Sequence, residues 1–419
     1  MKEQVNIILF DKHIGTIYQD GNRIYLEQID DLCHQASPIS ISKDLKYIET
    51  TKLTFLEQIP GFISDSLPGS FGNDILNNFF LKQSNRYPTI IDKLLFIGNN
   101  GLGALKFEPS VNLNDSIKEK LQLKDMFEEA KRLQRGNDFH TFHSAFLVSA
   151  HSFVGGARSK AVCAINLQTK NIFLSDRSKP IPNGYIHVII KYDDTVNDSE
   201  TKSTYSKIEY IYYLLAKEAG INISECYLVE DNNKSHFVTK RFDIETNGKR
   251  YHIHSLAGLL EIDFNIPRTI GYEDLLRTAV KLGAIESLEQ LFLQMLFNYF
   301  FVNQDDHSRN FSFMCDENFK WKATPAYDIT FAKGIKQTVE HQLSLYGKAL
   351  SKINIDDIVK LATEFSIPLE FVSNSLLKLN NLKNITLPKL LKQYNISNIK
   401  QNQTLDAVKN RTLQGDLDE

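Results

Sequence analysis

The chain has 419 residues, with 48 Lys+Arg against 51 Asp+Glu for a net charge of −3, and 42% hydrophobic residues, an ordinary globular composition. Single cores stop growing at about 250–300 residues, so two or more packed units are expected and a small stapled or metal-organised fold is excluded. Near-neutral charge, with an isoelectric point of about 6.4, argues against nucleic-acid binding by bulk electrostatics and leaves room only for a local basic patch.

Cys33, Cys163, Cys226 and Cys315 lie far apart, with no CxxC pair and no His at ligand spacing. That excludes zinc ribbons and disulfide scaffolds and fits a reducing, cytoplasmic setting. Met1 to Phe10 offers only a short mixed apolar stretch, a poor secretory signal. The most apolar window, Leu288 to Val302, contains Glu289, Gln290, Gln294 and Asn298, whereas a spanning helix needs roughly 20 predominantly apolar residues. No membrane crossing is expected.

In chain order, residues 5–28 alternate apolar and polar around a turn at Asp20-Gly21-Asn22 and predict strands in tight hairpins. A Pro/Gly-punctuated loop from Pro60 to Gly69 precedes a helical stretch over Asn73–Lys82, and Gly101-Leu102-Gly103 feeds a short strand that closes a first unit near residue 110. Residues 115–135 read as a bridging helix. From His151 the pattern becomes glycine loop, strand Ala161–Leu167, strand Tyr185–Lys191, helix Ser206–Ala219, and strands Cys226–Glu230 and Ser235–Arg241. Beyond residue 255 the reading is helical, with Leu288 to Phe301 apolar on every face and therefore central to its domain. From Gln393 the Asn/Lys/Gln-rich sequence reads as a frayed polar tail. The expected division is 1–110, 111–240, 241–392 and a tail over 393–419.

Chemistry concentrates after the apolar helix, in Asn303-Gln304-Asp305-Asp306-His307-Ser308-Arg309-Asn310-Phe311-Ser312. Asp305 and Asn310 are five apart, and Pro325-Ala326-Tyr327-Asp328 supplies another carboxylate. Phosphoryl transfer by the kinase route needs one Asp to take the nucleophile's proton, and an Asn and a second Asp to hold metal ions. Asp305-Asp306 would serve equally as turn and cap residues, and Asp328 as a surface carboxylate. Upstream, Gly155-Gly156-Ala157-Arg158-Ser159-Lys160 lies between two predicted strands, where consecutive N–H groups can cradle phosphate. Lys191 ends an apolar strand and Glu209 lies in the next helix. The pair matches the strand lysine and helix glutamate of kinases, while each alone reads as a snorkelling strand-end lysine and a solvent-facing helix residue. A metal phosphohydrolase could use the same carboxylates without Lys191.

These stretches, with Thr239-Lys240-Arg241-Phe242-Asp243 and, in the first unit, Ile14-Gly15-Thr16, Leu67-Pro68-Gly69 and Gly101-Leu102-Gly103-Ala104-Leu105, resemble the HipA family of serine/threonine kinase toxins over nearly the whole chain. The resemblance implies an α+β, kinase-like two-lobed fold, a mixed α/β N-terminal part and a mostly helical C-terminal domain. It implies a toxin that binds ATP and Mg²⁺ and phosphorylates a protein, an aminoacyl-tRNA synthetase in characterised relatives. A HipB-type helix-turn-helix antitoxin would be its partner, with operator DNA reached only through it. By position, Asp305 would be the catalytic base and His307 its support. Asn310 and Asp328 would be the Mg²⁺ ligands. Gly155, Gly156, Lys160, Lys191 and Glu209 would form the phosphate site, and Lys240 and Phe242 the hinge beside adenine. The serine that the family phosphorylates on itself is Phe153 here, leaving Ser152 and Ser159 as the nearby candidates. A scaffold that mainly holds the antitoxin is the competing reading.

Overall fold

The computed structural model describes residues 3–110, 117–134, 148, 150–151, 158–174, 180–193, 204–231, 234–334 and 337–413. Its N-terminal unit is a sheet of β1 (Glu3–Leu9), β2 (Lys12–Asp20), β3 (Arg23–Gln28), β4 (Tyr47–Glu49) and β5 (Leu105–Glu108), ordered β4-β3-β2-β1-β5 and antiparallel throughout. Val5, Ile7 and Leu9 of β1 alternate into the core together with Ile17 of β2 and Ile24 and Leu26 of β3, the period-2 pattern of a half-buried sheet. Around it lie α1 (Leu32–Ala36), α2 (Gly61–Ser64), α3 (Ser70–Ser84) and α4 (Ile90–Ile97). The last starts at a Thr89–Asp92 capping box, a signal readable in sequence.

The second sheet carries β6 (Ile117–Gln122), β7 (Lys160–Ile165), β8 (Asn171–Leu174), β9 (Ile186–Lys191), β10 (Cys226–Asp231) and β11 (Lys234–Lys240), ordered β10-β11-β9-β7-β8-β6. Two helices belong with it, α5 (Leu123–Gln134) and α6 (Thr204–Ala219). The bridging helix expected over 115–135 is therefore shortened, because its first residues pair with β8 as an edge strand. One apolar core runs from the first sheet into the second, through Phe107, Met126, Val188 and Val238.

The C-terminal part is built on α7 (Leu256–Leu260), α8 (Tyr272–Lys281) and α9 (Leu288–Phe300), followed by α10 (Ile355–Glu364), α11 (Leu369–Asn381), α12 (Leu387–Gln393) and α13 (Asn398–Lys409). As expected, α9 is central: Phe292, Met295, Leu296 and Phe297 are inaccessible to solvent. Two readings need correction. The region beyond 255 is not purely helical, because β12 (His252–Ser255), β13 (Ser312–Cys315) and β14 (Trp321–Ala323) form a sheet that frames the segment 303–311, and β15 (Ser344–Leu345) pairs with β16 (Lys348–Ala349). Nor is 393–419 simply a tail: Ser397 caps α13, which buries Thr404, Ala407 and Val408, a spacing that the Asn/Gln-rich sequence disguises. All four cysteines are buried thiols outside any disulfide, and among the described residues no helix is long and apolar enough to cross a membrane.

Candidate active site

Along β9, Val188 and Ile190 point into the core, which turns Lys191 to the opposite face. Its Nζ donates to Glu209 Oε1 of α6 at 2.5 Å and to Asp328 Oδ1. Glu209, expected in one reading to face solvent, is 3% exposed. Burial works against the Lys191 ammonium, but Asp328 and Glu209 outweigh it and raise its pKa. Asp328 is the mirror case: burial pushes its carboxyl up, yet Lys191 and Lys160 hold it below the usual carboxylate range. Lys160 stands directly opposite Lys191 in the β7–β9 register. Burial, with Lys191 adding to it, pushes the Lys160 amine down to about 8. Two lysines from adjacent strands thus converge on two carboxylates from other elements.

The segment carrying Asp305 leaves α9 through Val302, at φ +56, and tightens into a turn at Ser308–Asn310. Asn310 Nδ2 closes it by donating to the Asp305 carbonyl at 2.7 Å. The Asp305 side chain stays 45% exposed, 3.9 Å from His307 Nε2. Burial, reinforced by Asp328, raises its pKa against the opposing pull of His307. His307 packs against Phe264 at 5.3 Å. Asp328 adopts φ +53, the left-handed region that Asp tolerates better than most side chains and that often marks functional backbone. Tyr327 beside it donates to the Arg309 carbonyl at 2.7 Å, tying the two carboxylate-bearing segments together.

Phe242 meets Tyr327 with ring centroids 6.0 Å apart, and the Lys240 ammonium lies 3.6 Å from Glu225. A cavity of about 510 Å³ opens beside these residues, lined by Lys240, Arg241, Phe242, Tyr251, Met314 and Lys322 among others. Neither Lys191 nor any of the three site carboxylate and amide residues lines it. Gly155, Gly156, Ser152 and Phe153 lie outside the described residues. Ser159 is buried, its carbonyl accepting from Tyr192 N at 3.0 Å, so its modification would require the start of β7 to open.

Sequence reasoning missed the supports. Asp306 is buried, its Oδ2 accepting from Tyr272 at 2.5 Å and His341 Nδ1 at 2.8 Å, its Oδ1 from Gln342 N at 2.7 Å. It anchors the loop rather than facing the cleft. Asp65 and Arg309 carry no local signal either, because their partners lie on elements far apart in sequence.

The residues present suit Mg²⁺. Asp328 is held deprotonated and Asn310 uses its amide nitrogen internally, which leaves hard oxygens of the kind Mg²⁺ takes. Among the described residues no three His, Cys, Asp or Glu side chains converge on one point. An ion here would depend on phosphate oxygens and water for the rest of its shell.

Residues 152–384 match the model of the HipA-like C-terminal domain, more than half of the chain, and the chain belongs to that family. It is similar over 97% of its length, and 95% of the other's, to the HipA of the Shewanella oneidensis MR-1 toxin–antitoxin system, solved with HipB and operator DNA. The TM-score is 0.64 at 16% identity, which supports a shared kinase-like fold. A putative kinase of Haemophilus influenzae (strain Rd) is 28% identical over 135 residues. That match takes in 29% of this chain and only 39% of the relative's length. The Helicobacter pylori proinflammatory kinase CtkA superposes at TM-score 0.32 with 13% identity, too distant to carry an argument.

Proposed function

We propose that this protein is an ATP- and Mg²⁺-dependent protein serine/threonine kinase, the toxin of a toxin–antitoxin pair. The observation that carries the reading is the charge arrangement: Lys191 fixed by buried Glu209 and by Asp328, while Asp305 stays accessible on a loop closed by Asn310. In this reading Asp305 accepts the proton of a substrate hydroxyl, and Lys191 and Lys160 hold phosphate oxygens with the Gly155-Gly156 loop. Lys240 and Phe242 border the base. Asn310 and Asp328 would hold Mg²⁺, which when bound neutralises phosphate charge. Nucleotide entry would exchange the Lys191–Asp328 pair for lysine–phosphate and metal–carboxylate contacts.

A HipB-like antitoxin is the proposed partner, with operator DNA engaged only through it. A translation component such as an aminoacyl-tRNA synthetase is the proposed substrate, and the nearby serines Ser152 and Ser159 are the proposed self-modification sites. Incubation with γ-labelled ATP, Mg²⁺ and a bacterial lysate tests the reading. A discrete labelled protein band is expected. ATP consumption without any protein label would turn the assignment to a phosphohydrolase.

A further inference from the structure

The catalytic loop is held from outside its own domain. Asp65, immediately after α2 in the N-terminal unit, accepts from Ser255 Oγ at 2.6 Å and, on its other oxygen, from Ser255 N and His254 Nδ1, both at 2.7 Å. Arg309 Nε stands 4.0 Å from the same carboxylate, and its Nη2 donates to the Ser64 carbonyl at 3.1 Å. The guanidinium also lies over the Phe264 ring at 4.9 Å, so Arg309 is gripped on two sides. Its own carbonyl takes the Tyr327 hydroxyl. A contact from the N-terminal unit therefore passes through one residue to the neighbours of both Asn310 and Asp328.

The surfaces interlock without slack. A Cβ on Gly61 would fall 2.1 Å from the Gly258 oxygen, and one on Gly258 would fall 2.6 Å from Asp65 Oδ2, so glycine at both positions is what permits this approach. His254 Nε2 meets Ser37 Oγ at 2.8 Å, so the imidazole that holds Asp65 is itself fastened to the same unit.

We infer that Asp65 is a positioning residue, through which the N-terminal unit sets Arg309 and hence the Asp305–Asn310 loop against Asp328. The N-terminal unit is then part of the catalytic apparatus. Burial pushes the Asp65 carboxyl up, but His254, Arg309 and Ser255 hold it below its ordinary value, so the arginine faces a carboxylate.

The activity arm of the test rests on the phosphotransfer reading. Asp65→Asn and Arg309→Met should each lower kcat for protein labelling by roughly 10- to 100-fold while leaving the KM for ATP in place. The double variant should be no worse than either single one, because both break the same contact. A wild-type kcat in Asp65→Asn, or additive losses in the double variant, would overturn the inference and make Asp65 a plain interface residue.

If the wild-type protein labels nothing, the phosphotransfer reading fails instead, and hydrogen exchange decides the inference. Asp65→Asn should speed exchange over residues 305–311 with the rest of the C-terminal domain unchanged. Unchanged exchange in that loop would contradict it. Should Asp65→Asn fail to fold, Arg309→Lys, which alters a side chain still 25% exposed, carries both readouts.

Discussion

Asp305 and Asp306 are neighbours with opposite environments. The five-residue offset to Asn310 singles out Asp305 in the sequence, and the structure leaves that side chain 45% exposed. Asp306 is buried by donors 34 to 36 residues away, a placement that no local pattern encodes. Its removal should therefore act on stability: Asp306→Ala orphans buried donors at about 1–3 kcal/mol each, read as a fall in denaturant midpoint at unchanged slope. A midpoint equal to wild type would show that the network carries no stability. Lys160 makes a prediction about protons. Its pKa of about 8 reflects burial and Lys191, and an arriving phosphate would raise it again. Nucleotide binding near pH 8 should thus take up a proton, and affinity should fall as pH rises further. Calorimetry in two buffers of different ionisation enthalpy measures the uptake; Lys160→Met should abolish it, and identical heats for wild type would refute the assignment.

Elements with a strong period were legible and those made by pairing were not. The all-apolar α9 and the 3.6-residue pattern of α6 appear where the sequence places them, as do the alternating strands of the first sheet. By contrast, β6 is a strand only because β8 supplies its partner. Likewise β12 and β13 pair across the 56 residues between Ser255 and Ser312, and neither has the length to announce itself. The helix α13 was hidden by composition. It is tied back by the Tyr299 hydroxyl to the Thr412 carbonyl at 3.1 Å and by Lys383 to the Arg411 carbonyl at 2.8 Å, and Lys400 lies 5.0 Å over the Phe331 ring, three residues past Asp328. Val408→Ala should cost roughly 1–3 kcal/mol. Thermal unfolding reads it, and an unshifted Tm would return this segment to the status of a tail.

At the scale of the whole molecule, buried histidines set the acid limit. Burial lowers His236 to about 4, and burial together with His254 lowers His252 to about 3, against about 6.5 in the unfolded chain. A depressed folded pKa means that the neutral form is favoured by folding. The contribution is complete above about pH 6.5 and is lost progressively as pH falls from there to the folded values, by up to about 1.4 kcal/mol per pH unit for each histidine. Asp65 and Asp243, both held below their ordinary values, lose stability in the same direction. Denaturant midpoints at pH 7 and pH 5 should differ accordingly, and His252→Gln should flatten the dependence; a midpoint independent of pH would contradict the burial of these rings as neutral groups.

The most direct measurement compares wild type and Asp305→Ala for transfer of the γ-phosphate of ATP to protein, at equal concentrations of folded enzyme. A positioned base contributes about 10²–10⁴-fold, so label should fall by that factor with Tm unchanged, because the Asp305 side chain is half exposed and holds no buried partner in place. Labelling at the wild-type rate by Asp305→Ala would contradict the assignment of the base and, with it, the kinase reading of this site.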